Sequence, residues 1–305
     1  MFIPILIVGL ITTIIDSTFI TRRYLASILT SSIAMGSAAL GQALVIMSGD
    51  IDLSLGYVGC FAGIMCGRAA MAWGWGLFPC IVLGLVTGLL IGTITGFLVT
   101  KVGITSWITT LAVQFVCSGL SLTVTQGYTQ EINSPELLEF TLANPLGLSW
   151  LFFIYVGLVV FMDFIVRKTS FGYELRAIGG NKEAAGMAGI DVRKVKWIAF
   201  ALAGLLAAVG GLFDVLPNGM ASPTFGAGRE FRAITCCAIG GLSLAGGAGS
   251  IYGVALGVLL LQTLIYCLRL LGVSINLQLV LIGTILILAV VLDMQRKRIE
   301  ARMLV

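Results

Sequence analysis

Apolar residues along this chain gather into ten long runs, at about 2–18, 25–47, 53–71, 77–100, 104–124, 150–166, 195–216, 230–244, 250–271 and 276–292. The longest polar breaks between them are 125–149, 167–194, 217–229 and 293–305. A run of ~20 mainly apolar residues is the length of a helix across the hydrocarbon core of a bilayer. Backbone groups inside lipid must pair within their own helix or barrel. The pattern therefore predicts an all-α polytopic membrane protein of about ten transmembrane helices, forming one transmembrane domain over 1–305.

Composition agrees. Hydrophobic residues make up 58% of the 305 and charged residues 10%, against about 25% charged in a soluble domain. So few charges cannot cover a water-facing surface, which makes lipid a partner of the chain and leaves no basis for nucleic-acid binding. The opening stretch Met1–Ile15 lacks a basic region and a small-residue cleavage site. It reads as the first span rather than a removed leader, and it leaves the true N-terminus open.

Charge then orients the spans. Segment 167–196, the C-terminal tail and Lys101 together hold twelve of the eighteen basic residues, and an even span count puts them on one face. The positive-inside rule makes that face cytoplasmic. Both termini are then expected in the cytoplasm, in a bacterial plasma (inner) membrane. Loop 125–149 carries Glu131, Glu136 and Glu139 and no Lys or Arg, as an outside loop should. Arg22 and Arg23, placed outside by the same count, dissent.

Absences narrow the chemistry. There is no histidine, which removes the commonest general base and zinc ligand. The seven cysteines lie in apolar stretches without a C-x-x-C pair and read as buried thiols. No G-x-x-x-x-G-K-[ST] loop exists to cradle ATP phosphates. No cofactor and no metal is expected in this chain, nor any catalytic residue. Thirty-nine glycines fit closely approaching membrane helices.

Two segments stand out. Gly49-Asp50-Ile51-Asp52-Leu53-Ser54-Leu55-Gly56 places two carboxylates at the mouth of a membrane helix. Asp50, Asp52 and Ser54 suit helix capping, where a carboxylate accepts free N–H groups at the positive helix end; a gate or a partner contact is the other reading. The second segment, within the coupling region at about 167–194, contains Gly180, Asn181, Glu183, Ala184, Ala185, Met187, Gly189 and Ile190. Asn181 is an N-cap, Glu183 a first-turn acid and Gly189 a C-cap. The short helix between them offers Ala184, Ala185, Met187 and Ala188 to the cytosol. It is either a docking surface or a loop helix packed on the chain's own spans, and the residues alone leave the two even. A faint internal repeat pairs Gly49–Gly56 with Gly240-Gly241-Leu242-Ser243-Leu244-Ala245-Gly246-Gly247, roughly 190 residues on. Such repeats are common in transporters.

These motifs resemble those of the ribose/xylose/autoinducer-type permeases of ABC transporters. Gly49–Gly56 is similar to their G-G-I-D-L-S-V-G, Gly179–Ile190 to G-G-N-x-x-A-A-x-x-x-G-I, and Ile239–Gly247 to L-G-G-x-S-L-A-G-G. Thr125-Gln126-Gly127 stands where the family has T-G-G or T-N-G. The order holds from about residue 20 to 292. The resemblance implies a second permease subunit (homo- or heterodimer), a cytoplasmic ABC ATPase that binds ATP and Mg, an extracytoplasmic substrate-binding protein, and import of a sugar or sugar-like solute. It makes Asn181–Ile190 the ATPase contact. Two departures are visible. Ser118 replaces a common Arg, and Arg229-Glu230-Phe231-Arg232-Ala233-Ile234 replaces Y-E-L-D-A-I, so an arginine stands where a neutral-sugar permease has aspartate.

Polar residues in or beside spans are the path candidates: Gln42, Gln114, Asp214, Asn218, Glu230 and Arg232. Ionisable groups in a membrane are costly and mark function by default. Asp163, Asp214, Arg229 and Arg269 lie near span ends and are expected to reach interfacial water. Arg232 is expected in the outer half of the eighth span, paired with Asp214. An ion-coupled secondary transporter is the alternative, and it would require a mid-membrane acid cluster. A membrane-embedded enzyme would require paired carboxylates or metal ligands.

Overall fold

The computed structural model describes residues 9–10, 12–13, 19, 21–132 and 149–303. Eleven α-helices follow in order: α1 Arg22–Met47, α2 Leu55–Trp73, α3 Leu77–Phe97, α4 Ser106–Thr125, α5 Trp150–Lys168, α6 Ser170–Gly180, α7 Lys182–Met187, α8 Val192–Asn218, α9 Arg229–Ile239, α10 Ile251–Leu270 and α11 Ile275–Met303. A π-helical turn, Leu98–Val102, extends α3. Two-residue strands, β1 Gln130–Glu131 and β2 Met220–Ala221, pair antiparallel. Eight of the helices are long and apolar enough to cross a membrane. They coincide with eight of the ten predicted spans. The first predicted span, 2–18, lies almost wholly outside the described residues.

Helices α1 and α8 form the centre, with Leu40, Leu44, Ile46, Phe200 and Ala203 fully enclosed. Small residues make this packing close. On α3, Gly88 and Gly92 lie against Gly204 of α8, so that a Cβ on Gly204 would collide with the Gly88 carbonyl oxygen. Without a hydrophobic driving force between helices in lipid, such backbone approach supplies the van der Waals contact that holds them. Helices α3, α4 and α11 turn large apolar side chains outward, among them Phe78, Phe115, Leu277 and Leu292. That is the surface lipid requires.

The molecule has two ends. Lys196 and Asp214 lie eighteen residues apart on α8, about 27 Å at 1.5 Å per residue. Met47, Asp50, Lys196 and helices α6 and α7 share one end. The β1–β2 ladder, Asn218 and Asp214 mark the other.

The predicted span 230–244 is the main departure. Helix α9 has 11 residues, about half a membrane crossing. After β2 the chain turns back into the body of the protein. The carbonyl of Gly226 lies against Gly56, Cys60 Sγ donates to the Ser222 carbonyl at 3.3 Å, and one turn along α2 Gly59 packs on Ala207. Ala207 is midway between Lys196 and Asn218, so α9 begins within a turn of the middle of α8. The chain here still runs from the Asp214 end to the Lys196 end, as a re-entrant stretch followed by a half-helix and the glycine-rich loop 240–250. Irregular backbone at membrane depth is tolerated where protein surrounds it or where it lines a cavity. Arg229, Glu230 and Arg232 at the start of α9 are too polar for a lipid-facing helix, which is why hydropathy averaged over 230–244 misled.

Candidate functional site

At the Lys196 end the three glycine motifs meet. Gly247 N–H donates to the Met47 carbonyl at 3.1 Å, sealing the end of α1. Gly179, near the end of α6, fits so tightly that a Cβ there would collide with the Met47 carbonyl and the Gly247 nitrogen. A Cβ on Gly246 would meet Gly179 O at 2.9 Å and Gly49 Cα at 3.0 Å. Leu244 N–H donates to Asp293 on α11 at 3.3 Å, anchoring the loop from the far side. The two repeat-like segments thus touch. Each closes a helix with a glycine in the left-handed region, Gly49 (φ 81) and Gly241 (φ 81). Asp50 N–H reaches back to Val45 O and Leu242 N–H to Cys237 O, both at 3.0–3.1 Å. Gly189 and Gly272 sit in the same closure, so the likeness belongs to helix ends in this chain generally.

The acidic motif holds the loop together, but it does not cap α2 in the way expected: no side chain caps the first turn of that helix. Asp52 Oδ1 accepts from Ser54 N–H at 2.7 Å and from Ser54 Oγ–H at 2.6 Å. It therefore holds the residue that precedes α2 rather than the first-turn N–H groups. Asp52 is 2% exposed, and burial pushes its carboxyl up to about 6 against the lowering effect of the Ser54 bonds. Gln42, proposed for the path, is fully buried. With its amide oriented to pair both atoms, it donates to Asp52 O at 2.7 Å and accepts from Asp52 N–H at 3.3 Å; it fastens the loop to α1. Asp50 forms an ion pair with Lys196 at 2.8 Å.

Helix α7 forms as expected at its ends. Asn181 Oδ1 accepts from Glu183 N–H at 3.0 Å and Ala184 N–H at 2.9 Å, and Gly189 takes φ 86 just past the C-cap. Its faces correct the sequence reading. Gly180, Glu183, Ala184 and Gly189 are exposed and Ile190 is half-buried, while Met187 is 85% exposed. Ala185 is 5% exposed and belongs to the main core. Its side chain is turned into the protein and is not offered to the cytosol as the sequence suggested.

At the opposite end a cleft of about 920 Å³ opens between α1, α8, α9 and α10. Asp214 pairs there with Arg229, not with Arg232. Arg229 and Arg232 are three residues apart and share the face of α9 that lines the cleft, and Arg229, at the start of the helix, is the one in reach of Asp214. Asn218 Nδ2 donates to the Asp214 carbonyl at 2.6 Å and also lines the cleft. Arg232 lines the cleft floor near mid-depth rather than the outer half of a span, and its Nε finds no partner among the described residues. Glu230, 2% exposed, turns to the other side, where Gln114 Nε2 donates to its Oε1 at 3.4 Å. Arg229 and Asp214 therefore do not snorkel, and neither does Asp163, which pairs with Arg167 at 2.9 Å. Arg269 is exposed at the rim and lies 6.0 Å from the Tyr266 ring centroid. Sequence reasoning missed Arg229, Arg269 and Gln262 as cleft residues. The one signal that could have found them is the cluster of arginines at membrane depth. Among the described residues no group of three or more His, Cys, Asp or Glu could hold a metal ion.

The family model described as "Branched-chain amino acid transport system / permease component" matches residues 24–290. The L-arabinose ABC transporter permease protein AraH of Azospirillum brasilense is 33% identical over 284 residues, covering 92% of this chain and 82% of that one. The ribose import permease protein RbsC of Escherichia coli (strain K12) is 32% identical, covering 97% and 93%. The xylose transport system permease protein XylH of Haemophilus influenzae is 31% identical, covering 93% and 92%.

Proposed function

From the premise that this chain belongs to the ABC permeases of ribose, arabinose and xylose type, we propose that it is the membrane subunit of an ATP-driven importer of a sugar or sugar-like solute. The observation that carries this is identity of about a third to sugar permeases over nearly the whole chain. The family description speaks of branched-chain amino acids, but the relatives named are pentose permeases, and they favour a sugar. On this reading the Lys196 end faces the cytoplasm of a bacterial cell, with both termini on that side. An ABC ATPase docks on α7 and supplies the energy. A second permease subunit completes the path, and an extracytoplasmic binding protein loads the cleft at the opposite end.

The geometry supports coupling through the glycine junction. Helix α7 follows Gly179-Gly180-Asn181 directly, and Gly179 is wedged against the end of α1 and the loop 240–250. Movement of α7 by a partner would therefore be carried to α1, which lines the cleft. The test is reconstitution into proteoliposomes with the ATPase and binding protein. Uptake of ribose, arabinose or xylose that requires ATP on the ATPase side is expected. Uptake driven by an ion gradient without the ATPase would instead support the secondary transporter.

A further inference from the structure

The cleft at the Asp214 end carries more positive charge than its packing requires. Arg229, Arg232 and Arg269 all line it, and Asp214 is the only carboxylate lining it among the described residues. Asp214 is already engaged by Arg229. Arg229 is 9% exposed, yet its Nη1 has no hydrogen-bond partner among the described residues, and the same is true of Arg232 Nε. Glu230 is near enough to offset part of this charge but forms no ion pair with either arginine, because its carboxylate lies against Gly56 and Gln114 on the other side of α9. The first turn of α9 also opens at this depth, and a helix N-terminus favours negative charge. Half-helix N-termini at mid-membrane commonly meet anionic substrate groups.

The rest of the lining suits a polyhydroxylated body. Thr30, Asn218 and Gln262 supply hydroxyl and amide groups, and the Tyr266 ring supplies an apolar flank. The volume of about 920 Å³ lies within the ordinary range for small-molecule sites, ~300–1,000 Å³. A neutral sugar needs hydrogen bonds but no net positive charge. Guanidinium groups match a carboxylate or phosphate because their planar N–H forks bond two oxygens at once.

We infer that this cleft receives a solute with a sugar-like body and one oxyanion group, a carboxylate or phosphate, held by Arg232 and Arg269 with the free edge of Arg229. This deepens the proposed function and rests on it only in treating the cleft as part of the solute path. Arg229 stays tied to Asp214, so Arg232 and Arg269 are the groups whose charge the ligand neutralises.

The test uses the purified full chain in nanodiscs of phosphatidylcholine. Thermal unfolding is followed during titration with D-gluconate, ribose 5-phosphate and ribose at equal ionic strength. At least one of the two anions should raise the midpoint saturably at millimolar concentration while ribose does not. Arg232→Gln and Arg269→Gln should each weaken that response about tenfold, the equivalent of one charge-assisted hydrogen bond. Arg232→Lys should keep part of it, which separates loss of charge from loss of fold. An equal response to ribose and the anions overturns the inference. So does no response to either anion, or wild-type anion binding by both Gln variants. A further arm adds phosphatidylglycerol without solute: an Arg232-dependent shift there, with none from the soluble anions, identifies a lipid headgroup and overturns a solute ligand. ATP-dependent ribose uptake alongside failed anion binding would sink this inference and leave the proposed function standing.

Discussion

Asp50 and Lys196, 146 residues apart in sequence, form a 2.8 Å ion pair that joins the loop after α1 to the first turns of α8. Their side chains are 15% and 12% exposed, so solvent screens the pair only partly. Removing either partner leaves a mostly buried charge unpaired, at a cost of about 1.5–3 kcal/mol. Asp50→Ala and Lys196→Ala should each lower the unfolding midpoint in detergent, and the double variant should fall short of their sum. Strict additivity in that cycle would show that the two side chains do not support each other.

Gly179 and Gly180 are neighbours with opposite tolerance. A methyl on Gly179 collides with the backbone of Met47 and Gly247, whereas one on Gly180 meets nothing within 4 Å. Gly179→Ala should destabilise by more than ~2 kcal/mol, since overpacking against backbone cannot relax by a rotamer change. Gly180→Ala should fold normally. Equal stability of the two variants would remove the glycine junction as a close contact.

Gln126 is the one described non-glycine residue with positive φ, at 54°. It stands past the end of α4, where related permeases carry glycine or asparagine. A left-handed conformation costs a residue with a full side chain roughly 1–2 kcal/mol. Gln126→Gly should therefore stabilise the fold by about 1 kcal/mol in thermal or denaturant unfolding. A neutral or lower stability would mean that the Gln126 side chain makes a compensating contact.

How much was legible beforehand follows from what each signal averages. Eight spans were legible because twenty apolar residues in a row have one outcome in lipid. The re-entrant stretch before α9 was not, because hydropathy over 230–244 sums Glu230 and Arg232 with the mostly apolar residues that follow and cannot see where a helix begins. The same blindness paired Arg232 with Asp214: both arginines lie on the cleft face of α9, and only the structure shows that Arg229 is the one in reach of Asp214. Capping by Asn181 and Gly189 was legible because it depends on local chemistry. The inward turn of Ala185 was not, since six residues of Ala, Gly, Met, Lys and Glu show too little contrast to define an apolar face. The glycine junction joins positions about 130 and 70 residues apart, and no local pattern reports such contacts.

Asp52 gives a pH dependence with a definite sign. Its carboxyl is raised in the folded protein from 3.8 to about 6 by burial, so the folded state holds its proton more tightly than the unfolded one. Its contribution to stability is then fully present below 3.8 and is lost as pH rises through about 6. At neutral pH the buried charge costs at most ~2–3 kcal/mol. Asp52→Asn keeps an oxygen acceptor for Ser54 N–H and removes that charge. The variant should unfold at higher temperature than wild type at pH 7.5 and should lose the advantage at pH 4. An advantage that persists unchanged at pH 4 would show that the charge of Asp52 is not the cause.

Helix α7 separates two roles that its sequence merges. Met187 is 85% exposed and Ala185 5% exposed, though both lie within one turn. An apolar side chain held out in this way by a helix fixed at Asn181 and Gly179 is suited to insertion into a partner. Met187 is almost wholly exposed, so the stability of Met187→Glu should stay within ~0.5 kcal/mol of wild type. Its capture of the ATPase and its ATP-driven uptake should fall at least tenfold. Ala185→Trp should behave differently: overpacking the core costs about 1–3 kcal/mol, and lost uptake there would report damage to the fold rather than to a contact. Comparing the two in one preparation separates docking from packing. If Met187→Glu still binds the ATPase and transports normally, α7 is not the surface through which ATP hydrolysis reaches this protein.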